Sequence, residues 1–285
     1  MRKLIMLTTA LFPCAVLAAD LATNETPVYH SKTELMLRKS KDNFFSLAPY
    51  EQNYIMETFS NGNFDMQDGK EKKHDEIKFQ ISLGLPIWRG ILGENSLLGA
   101  SYTQRSWFQL SNTIESSPFR ETNYEPQLFL AWSTKYDLPW GWTLNDIETG
   151  FNHESNGRSD QFERSRSWNR LYARVSAHKD NWMVEFKPWW RIPEKADDDD
   201  NPDITAYRGH YDLTVGYKYD EHQVKLTGHY NLKSGKGGVL ANYSYPITKQ
   251  VRFYVQYYGG YGESLIDYNR RIHRIGLGIS LNDVF

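Results

Sequence analysis

The sequence predicts an all-β protein, a closed antiparallel transmembrane β-barrel of about twelve strands reached after a cleaved signal peptide. Three observations predict it. The chain of 285 residues opens with a secretory leader. It then alternates apolar and polar residues in segment after segment. And its aromatic fraction is high, 15%, although its mean hydropathy is only −0.65. Tyr and Trp gather where protein meets a membrane interface. In a barrel only alternate residues face lipid, so mean hydropathy stays low.

The leader comes first. Met1-Arg2-Lys3 is a basic head, Leu4 to Leu17 an apolar run, and Ala15-Val16-Leu17-Ala18-Ala19 a small-residue stretch. This is the pattern of a secretory signal peptide, residues 1–18, with a cut after Ala19 as the alternative. The run is too short for a transmembrane helix, and a retained N-terminal anchor is the competing reading. The only cysteine, Cys14, lies inside the leader, behind Pro13 where lipoprotein processing needs a small residue. The mature chain therefore has no disulfide and no thiolate metal site. Losing Arg2 and Lys3 takes the formal charge from −2 to −4, which gives no nucleic-acid footprint. No later segment has the apolar length of a membrane helix, so hydropathy alone would suggest a soluble enzyme.

Residues 19–49 show no sustained alternation and read as a periplasmic N-terminal arm, with a short helix near Thr33–Lys41. The barrel occupies residues 50–285. Its clearest strand carries Ile77, Phe79, Ile81, Leu83, Leu85 and Ile87 on one face, with Lys78, Gln80, Ser82 and Gly84 between them. Leu98, Ala100, Tyr102 and Phe108 oppose Ser101, Thr103 and Arg105. Trp182, Val184, Phe186 and Trp190 oppose Glu185, Lys187 and Arg191. Tyr207, Tyr211, Leu213, Val215 and Tyr217 oppose Arg208, His210, Asp212 and Lys218. Val251 to Tyr261 and Ile275 to Phe285 complete the strong stripes. Weaker strands lie near Asn53–Phe59, Gln127–Thr134, Trp142–Ser155, Ser167–Ala177, Gln223–Tyr230 and Val239–Ile247. A β-sandwich also alternates, but with shorter strands. The acidic run Asp197–Asp200 reads as a solvated loop, and Phe285 ends the chain on an aromatic, as outer-membrane barrels commonly do.

The densest polar stretch is His153-Glu154-Ser155-Asn156-Gly157-Arg158-Ser159-Asp160, followed by Ser165-Arg166-Ser167-Trp168-Asn169-Arg170. In the first strand Ile147, Phe151, His153 and Ser155 share the odd face. In the next strand Asn169 continues the apolar stripe of Leu171, Ala173, Val175 and Ala177. Three polar groups therefore fall together on the lipid-facing wall. Leaving them unpaired against hydrocarbon is costly, so they should bond one another. A serine two residues from a histidine, with an amide opposite, is the nucleophile–base–orienter arrangement with Asn in place of Asp. Against this stands the bland reading that His153 and Ser155 are rim residues at a loop mouth, since His-x-Ser is common by chance. Gln104 also falls on the lipid face of its strand, where it must find water or another partner.

These segments resemble the signature of the outer membrane phospholipase A family. So do Tyr102-Thr103-Gln104 through Ser116-Ser117-Pro118-Phe119-Arg120-Glu121-Thr122-Asn123-Tyr124-Glu125-Pro126, Asp200-Asn201-Pro202-Asp203-Ile204-Thr205, and Gly262-Glu263-Ser264-Leu265-Ile266-Asp267-Tyr268-Asn269. The resemblance runs from about Pro49 to Phe285. It implies a twelve-stranded outer-membrane barrel, a Ca²⁺-dependent phospholipase with A1, A2 and lysophospholipase activity, working as a homodimer on membrane phospholipids. Ser155 is then the nucleophile, His153 the general base, Asn169 its orienter, and Gly157 N–H part of the oxyanion hole. The Arg158 carbonyl, Ser165 and, from the partner chain, Ser116 would bind calcium, with Asp200 a further candidate. All are oxygen donors, as calcium requires. The stretch Gln161–Arg164 lengthens this loop relative to the family pattern. Gln104 would pair with its copy across the dimer interface. The competing functions are a transporter or adhesin barrel without catalysis, and a lipopolysaccharide deacylase on a smaller barrel.

Overall fold

A computed structural model describes residues 30–41, 46–61, 74–112, 119–159 and 164–282. The leader, Ser116 and Phe285 lie outside these residues. Helix α1 (Lys32–Lys39) starts where Ser31 Oγ accepts the Glu34 N–H at 3.2 Å, and it ends with Arg38 and Lys39 against the negative end of its dipole. A two-residue element, β1 (Ala48–Pro49), precedes twelve long strands: β2 (Tyr54–Ser60), β3 (Asp75–Arg89), β4 (Ser96–Phe108), β5 (Phe119–Asp137), β6 (Thr143–Ser155), β7 (Ser167–Lys179), β8 (Trp182–Arg191), β9 (Tyr211–Tyr219), β10 (His222–Asn231), β11 (Lys236–Pro246), β12 (Arg252–Gly260) and β13 (Ile272–Ser280). A one-turn helix, α2 (Ile204–Arg208), lies between β8 and β9.

Each of β2–β13 pairs antiparallel with its neighbour in sequence, and β13 returns to β2 with Ile279 opposite Ile55. The sheet is therefore a closed twelve-stranded barrel, in which every strand finds its hydrogen bonds on both sides. One end carries short links, at 90–95, 138–142, 180–181, 220–221 and 247–251. Asp180 and Asp220 take positive φ there, 49° and 52°, the conformation a tight hairpin needs and Asp tolerates. The other end carries the longer links, including 156–166, 192–210 and 261–271.

The expected alternation holds along the strands, with Phe151, Leu171, Val175, Phe186, Leu277 and their neighbours exposed outward and charged residues enclosed. Three local expectations differ. β5 begins at Phe119, earlier than the predicted Gln127, because outward Thr122 and Tyr124 are flanked by inward Glu121, Asn123 and Glu125 and the polarity contrast vanishes. Tyr207 belongs to α2, which stops at Gly209 (φ 64°), so the strand starts only at Tyr211. The residues near Thr33–Lys41 do form a helix, but it is docked against inward-facing side chains. Thr33 Oγ1 donates to Asp146 Oδ2 at 2.9 Å, and Met36 packs beside Tyr50 at the bare backbone of Gly84.

The interior is a charged lattice. Arg174, 1% exposed, pairs with Asp146, Glu148 and Glu185 at 3.2, 2.8 and 3.0 Å. Tyr50 and Tyr172 donate their hydroxyls to Glu148. Toward the long-loop end Arg120 and Arg274 share Glu76, while Arg274 and Lys78 hold Glu263. The loop 261–271 is drawn inward, Leu265 N–H donating to Asn123 Oδ1 and Ile266 N–H to Glu121 Oε1. Burial alone would raise the Glu263 carboxyl, but Arg274 and Lys78 outweigh it and hold the pKa at about 2.

Candidate active site

Strands β6 and β7 bring the polar cluster together. His153 stands directly opposite Asn169, and Ser155 opposite Ser167. Opposed residues of an antiparallel pair share a face at close range. That face is the outer one, since Phe151 and Leu171 continue it, exposed, while Asn152, Glu154, Trp168 and Arg170 point inward and are buried. On the other side Ser155 stands opposite Tyr124 of β5, which stands opposite Gln104 of β4. Gln104, Tyr124, Ser155 and Ser167 thus form one row around the wall at the long-loop end.

His153 Nδ1 and Asn169 Oδ1 are 2.9 Å apart. An amide oxygen only accepts, so Nδ1 carries the proton and Nε2 is left with a lone pair, the tautomer a general base needs. Among the described residues Ser155 Oγ forms no hydrogen bond to His153; such contacts commonly close only when substrate is present. Asn169 is held from behind as well: its Nδ2 donates to Glu194 Oε1 at 2.9 Å.

The inward side of the same strand is pinned. Glu154, between His153 and Ser155, accepts from Arg105 at 2.7 Å, Arg170 at 3.0 Å and the Trp168 indole at 3.0 Å. Arg170 also lies over the Trp168 ring, 4.0 Å from its centroid. This fixes the strand that carries His153 and Ser155 against the barrel core.

The loop after Ser155 is organised by Asn156, which is 4% exposed. Its Oδ1 accepts the N–H groups of Arg158 (3.3 Å) and Arg166 (3.0 Å), its Nδ2 donates to the Arg164 carbonyl (2.8 Å), and its N–H bonds the Arg166 carbonyl (2.9 Å). Both loop arms are thereby clamped, with Arg158 on one and Ser165 on the other. Gly157 takes φ +61°, and a Cβ there would meet the Tyr124 ring at 3.0 Å, so glycine is favoured on two counts. The Arg158 side chain reaches Glu121 at 3.4 Å and the Phe119 carbonyl at 3.3 Å. Ser116 lies outside the described residues. Asp200 lies in the β8–β9 loop beside Asp199, which pairs with Arg191 at 2.6 Å.

Among the described residues no cluster of three or more His, Cys, Asp or Glu could hold a metal. What the loop offers is a carbonyl and a hydroxyl, hard neutral oxygens that suit calcium in kind and need further oxygens to complete a shell. Gln104 lies on the outer face as predicted, yet its amide is not stranded: Oε1 accepts from Tyr102 Oη at 3.2 Å and Nε2 donates to Ser106 Oγ at 3.1 Å. Sequence reasoning did not find Asn156, Glu154 or Glu194 as parts of the site. Glu154 is an inward charge among many, and Glu194 sits in a loop without periodicity.

The family model for phospholipase A1 matches residues 30–281. The chain is 53% identical over 280 residues to a phospholipase A1 of Klebsiella pneumoniae, covering 96% of this chain and 95% of that one. It is 50% identical over 290 residues to a phospholipase A1 of Escherichia coli K12, covering 98% of each. Among solved structures it is similar to outer membrane phospholipase A from Escherichia coli, with TM-score 0.83 and 53% identity over 90% of this chain and 98% of that one. It is also similar to the Salmonella typhi outer membrane phospholipase dimer with bound calcium, with TM-score 0.84 and 52% identity over 91% of this chain and all of that one.

Proposed function

The chain belongs to the phospholipase A1 family and is an outer-membrane β-barrel, and from that premise we propose that it hydrolyses the acyl esters of phospholipids at Ser155, on the lipid-facing wall. The observation that carries this reading is the His153–Asn169 hydrogen bond on a surface where unpaired polar groups are costly. The range covers sn-1 and sn-2 acyl chains and lysophospholipids. Residues 1–18 are the leader that sends the chain to the membrane, residues 19–49 an arm whose helix enters the barrel, and residues 50–285 the barrel. Short links face the periplasm and long ones the exterior, so the site meets lipid from the outer leaflet.

A phospholipid lying along the wall presents its ester carbonyl to Ser155. His153 Nε2 takes the Ser155 Oγ proton as the oxygen attacks, while the Nδ1 proton stays on the hydrogen bond to Asn169. The Gly157 N–H, on the loop clamped by Asn156, stabilises the oxyanion. The imidazolium then gives its proton to the departing glycerol oxygen, and water activated by His153 releases the acyl chain from Ser155. The Arg158 carbonyl, the Ser165 hydroxyl and Ser116 of a second protomer would hold calcium, with Asp200 a further candidate; bound there, the ion supplies positive charge beside the oxyanion. Two protomers meet wall to wall around Gln104, on the row that contains Ser155, and so complete a calcium shell that one protomer leaves short. A membrane-digesting enzyme is then silent while dispersed.

The test is fatty-acid release from phosphatidylcholine in detergent by the purified protein, with calcium or with EDTA. Hydrolysis with calcium, lost in EDTA while the barrel keeps its heat-modifiable migration on gels, is the expected result. Full activity in EDTA removes calcium from the reading. Absence of hydrolysis under every condition leaves a barrel without catalysis.

A further inference from the structure

We propose that Glu194 is a positioning residue for the base, making the outer-wall cluster a chain of four: Ser155, His153, Asn169, Glu194. This deepens the proposed hydrolase reading and rests on it. The backbone brings Glu194 into place by extending the sheet past the end of β8. Ile192 N–H donates to the Asn169 carbonyl at 2.8 Å, one step beyond the pairing of Arg170 with Arg191. Two residues further on, the half-buried Glu194 carboxylate accepts from the Asn169 amide at 2.9 Å.

The physical argument concerns the direction of that amide. A neutral Asn can offer His153 either its oxygen or its NH2 group. With the oxygen forward, Nδ1 is protonated and Nε2 is free to accept the serine proton. With NH2 forward, Nδ1 must accept, Nε2 carries the proton and the base is lost. An ionised carboxylate can only accept, so Glu194 binds the NH2 end and holds the oxygen toward His153. It also returns to the cluster the negative charge that Asn in place of Asp leaves out, one residue further from the imidazolium. No proton leaves Nδ1 or the amide in the step; the serine proton alone moves, to Nε2. Charge-assisted hydrogen bonds are the stronger kind, and this one borders lipid.

The experiment measures phosphatidylcholine hydrolysis in detergent with calcium by wild type, Glu194→Gln, Glu194→Ala and Glu194→Asp, each also in an Asn169→Ala background, with Ser155→Ala alongside. Glu194→Ala should lower kcat by about three- to tenfold at little change in KM, the scale of one ordinary net hydrogen bond. Removing the negative charge makes the imidazolium less stable, so the acid limb of kcat/KM should move to lower pH in Glu194→Ala and Glu194→Gln. Glu194→Asp should recover part of the rate. In the Asn169→Ala background the Glu194 substitutions should add nothing, because Glu194 acts through that amide. Equal losses in both backgrounds would show a general structural role and overturn the proposal, as would wild-type rate and pH profile in Glu194→Ala. An active Ser155→Ala protein would instead remove the hydrolase reading beneath it. Heat-modifiable migration separates a misfolded variant from an impaired one, and the near-isosteric Glu194→Gln carries the pH test if the alanine variant fails to fold.

Discussion

The two faces of β6 and β7 hold polar groups under opposite rules. Inward, Asp146, Glu148, Glu154, Arg170 and Arg174 form a crowded lattice in which Arg174 holds Asp146 and Glu148, and Arg170 holds Glu154. Outward, the same strands present Ile147, Phe151, Leu171, Ala173 and Val175, with the Thr149 hydroxyl turned back to the Tyr172 carbonyl at 3.0 Å, and toward the long-loop end polar groups gather at His153, Ser155, Ser167 and Asn169. Inside a barrel, charge is the ordinary lining and marks no function by itself. On the lipid face a polar side chain is costly, so its presence asks for a reason. The inner lattice holds the barrel and its docked helix; the outer cluster is the seat of the proposed chemistry.

The comparison can be broken by exchanging the effects of the two faces. The largest expected effect is at the outer face: Ser155→Ala should lower ester hydrolysis by about a thousandfold or more. Its unfolding midpoint in urea should stay at the wild-type value, since a single half-buried hydroxyl with no hydrogen bond to His153 is lost. Second is the inner face. Arg174→Ala leaves Asp146, Glu148 and Glu185 facing one another without their shared cation, at a cost of about 3–5 kcal/mol. Urea unfolding followed by tryptophan fluorescence should show that loss, and whatever activity falls should follow the folded fraction. A catalytic defect in fully folded Arg174→Ala would merge the two roles the comparison separates. The smallest effect is at Gln104, whose amide already has Tyr102 and Ser106 as partners. Gln104→Ala should weaken the dimer toward the low end of about 0.5–2 kcal/mol, the range for hydrogen bonds between membrane segments. Sedimentation in detergent beside a calcium titration of activity reads this directly, and a strictly monomeric protein with full calcium-dependent activity would contradict the dimer model.

What could be read in advance follows the same division. The barrel, the face of each strand and the approach of Asn169 to His153 were legible, because all three depend on a period of two and on one register. The upper half of β5 was hidden where Thr122 and Tyr124 blur the contrast between faces. The docking of α1 was hidden because its partners, Asp146 and Tyr50, are distant in sequence and the arm carries no alternation. Glu194 was invisible for a sharper reason. Its contact depends on the path of the chain beyond the end of β8, where the sequence no longer alternates and no residue pattern encodes that path. Asn156 left a weak signal, a short amide beside a glycine at a strand end, but its hydrogen bonds to Arg158, Arg164 and Arg166 clamp a loop whose path the strands do not dictate.

The central claim, that one serine on the lipid-facing wall is a nucleophile activated by its neighbour, is tested most directly by covalent labelling. The folded protein would be treated with a long-chain alkyl sulfonyl fluoride in calcium-containing detergent, digested and read by mass spectrometry. The account predicts modification at Ser155, in step with loss of hydrolysis, and label falling to background in His153→Ala. Modification at a different serine, or undiminished labelling of Ser155 in His153→Ala, would contradict it.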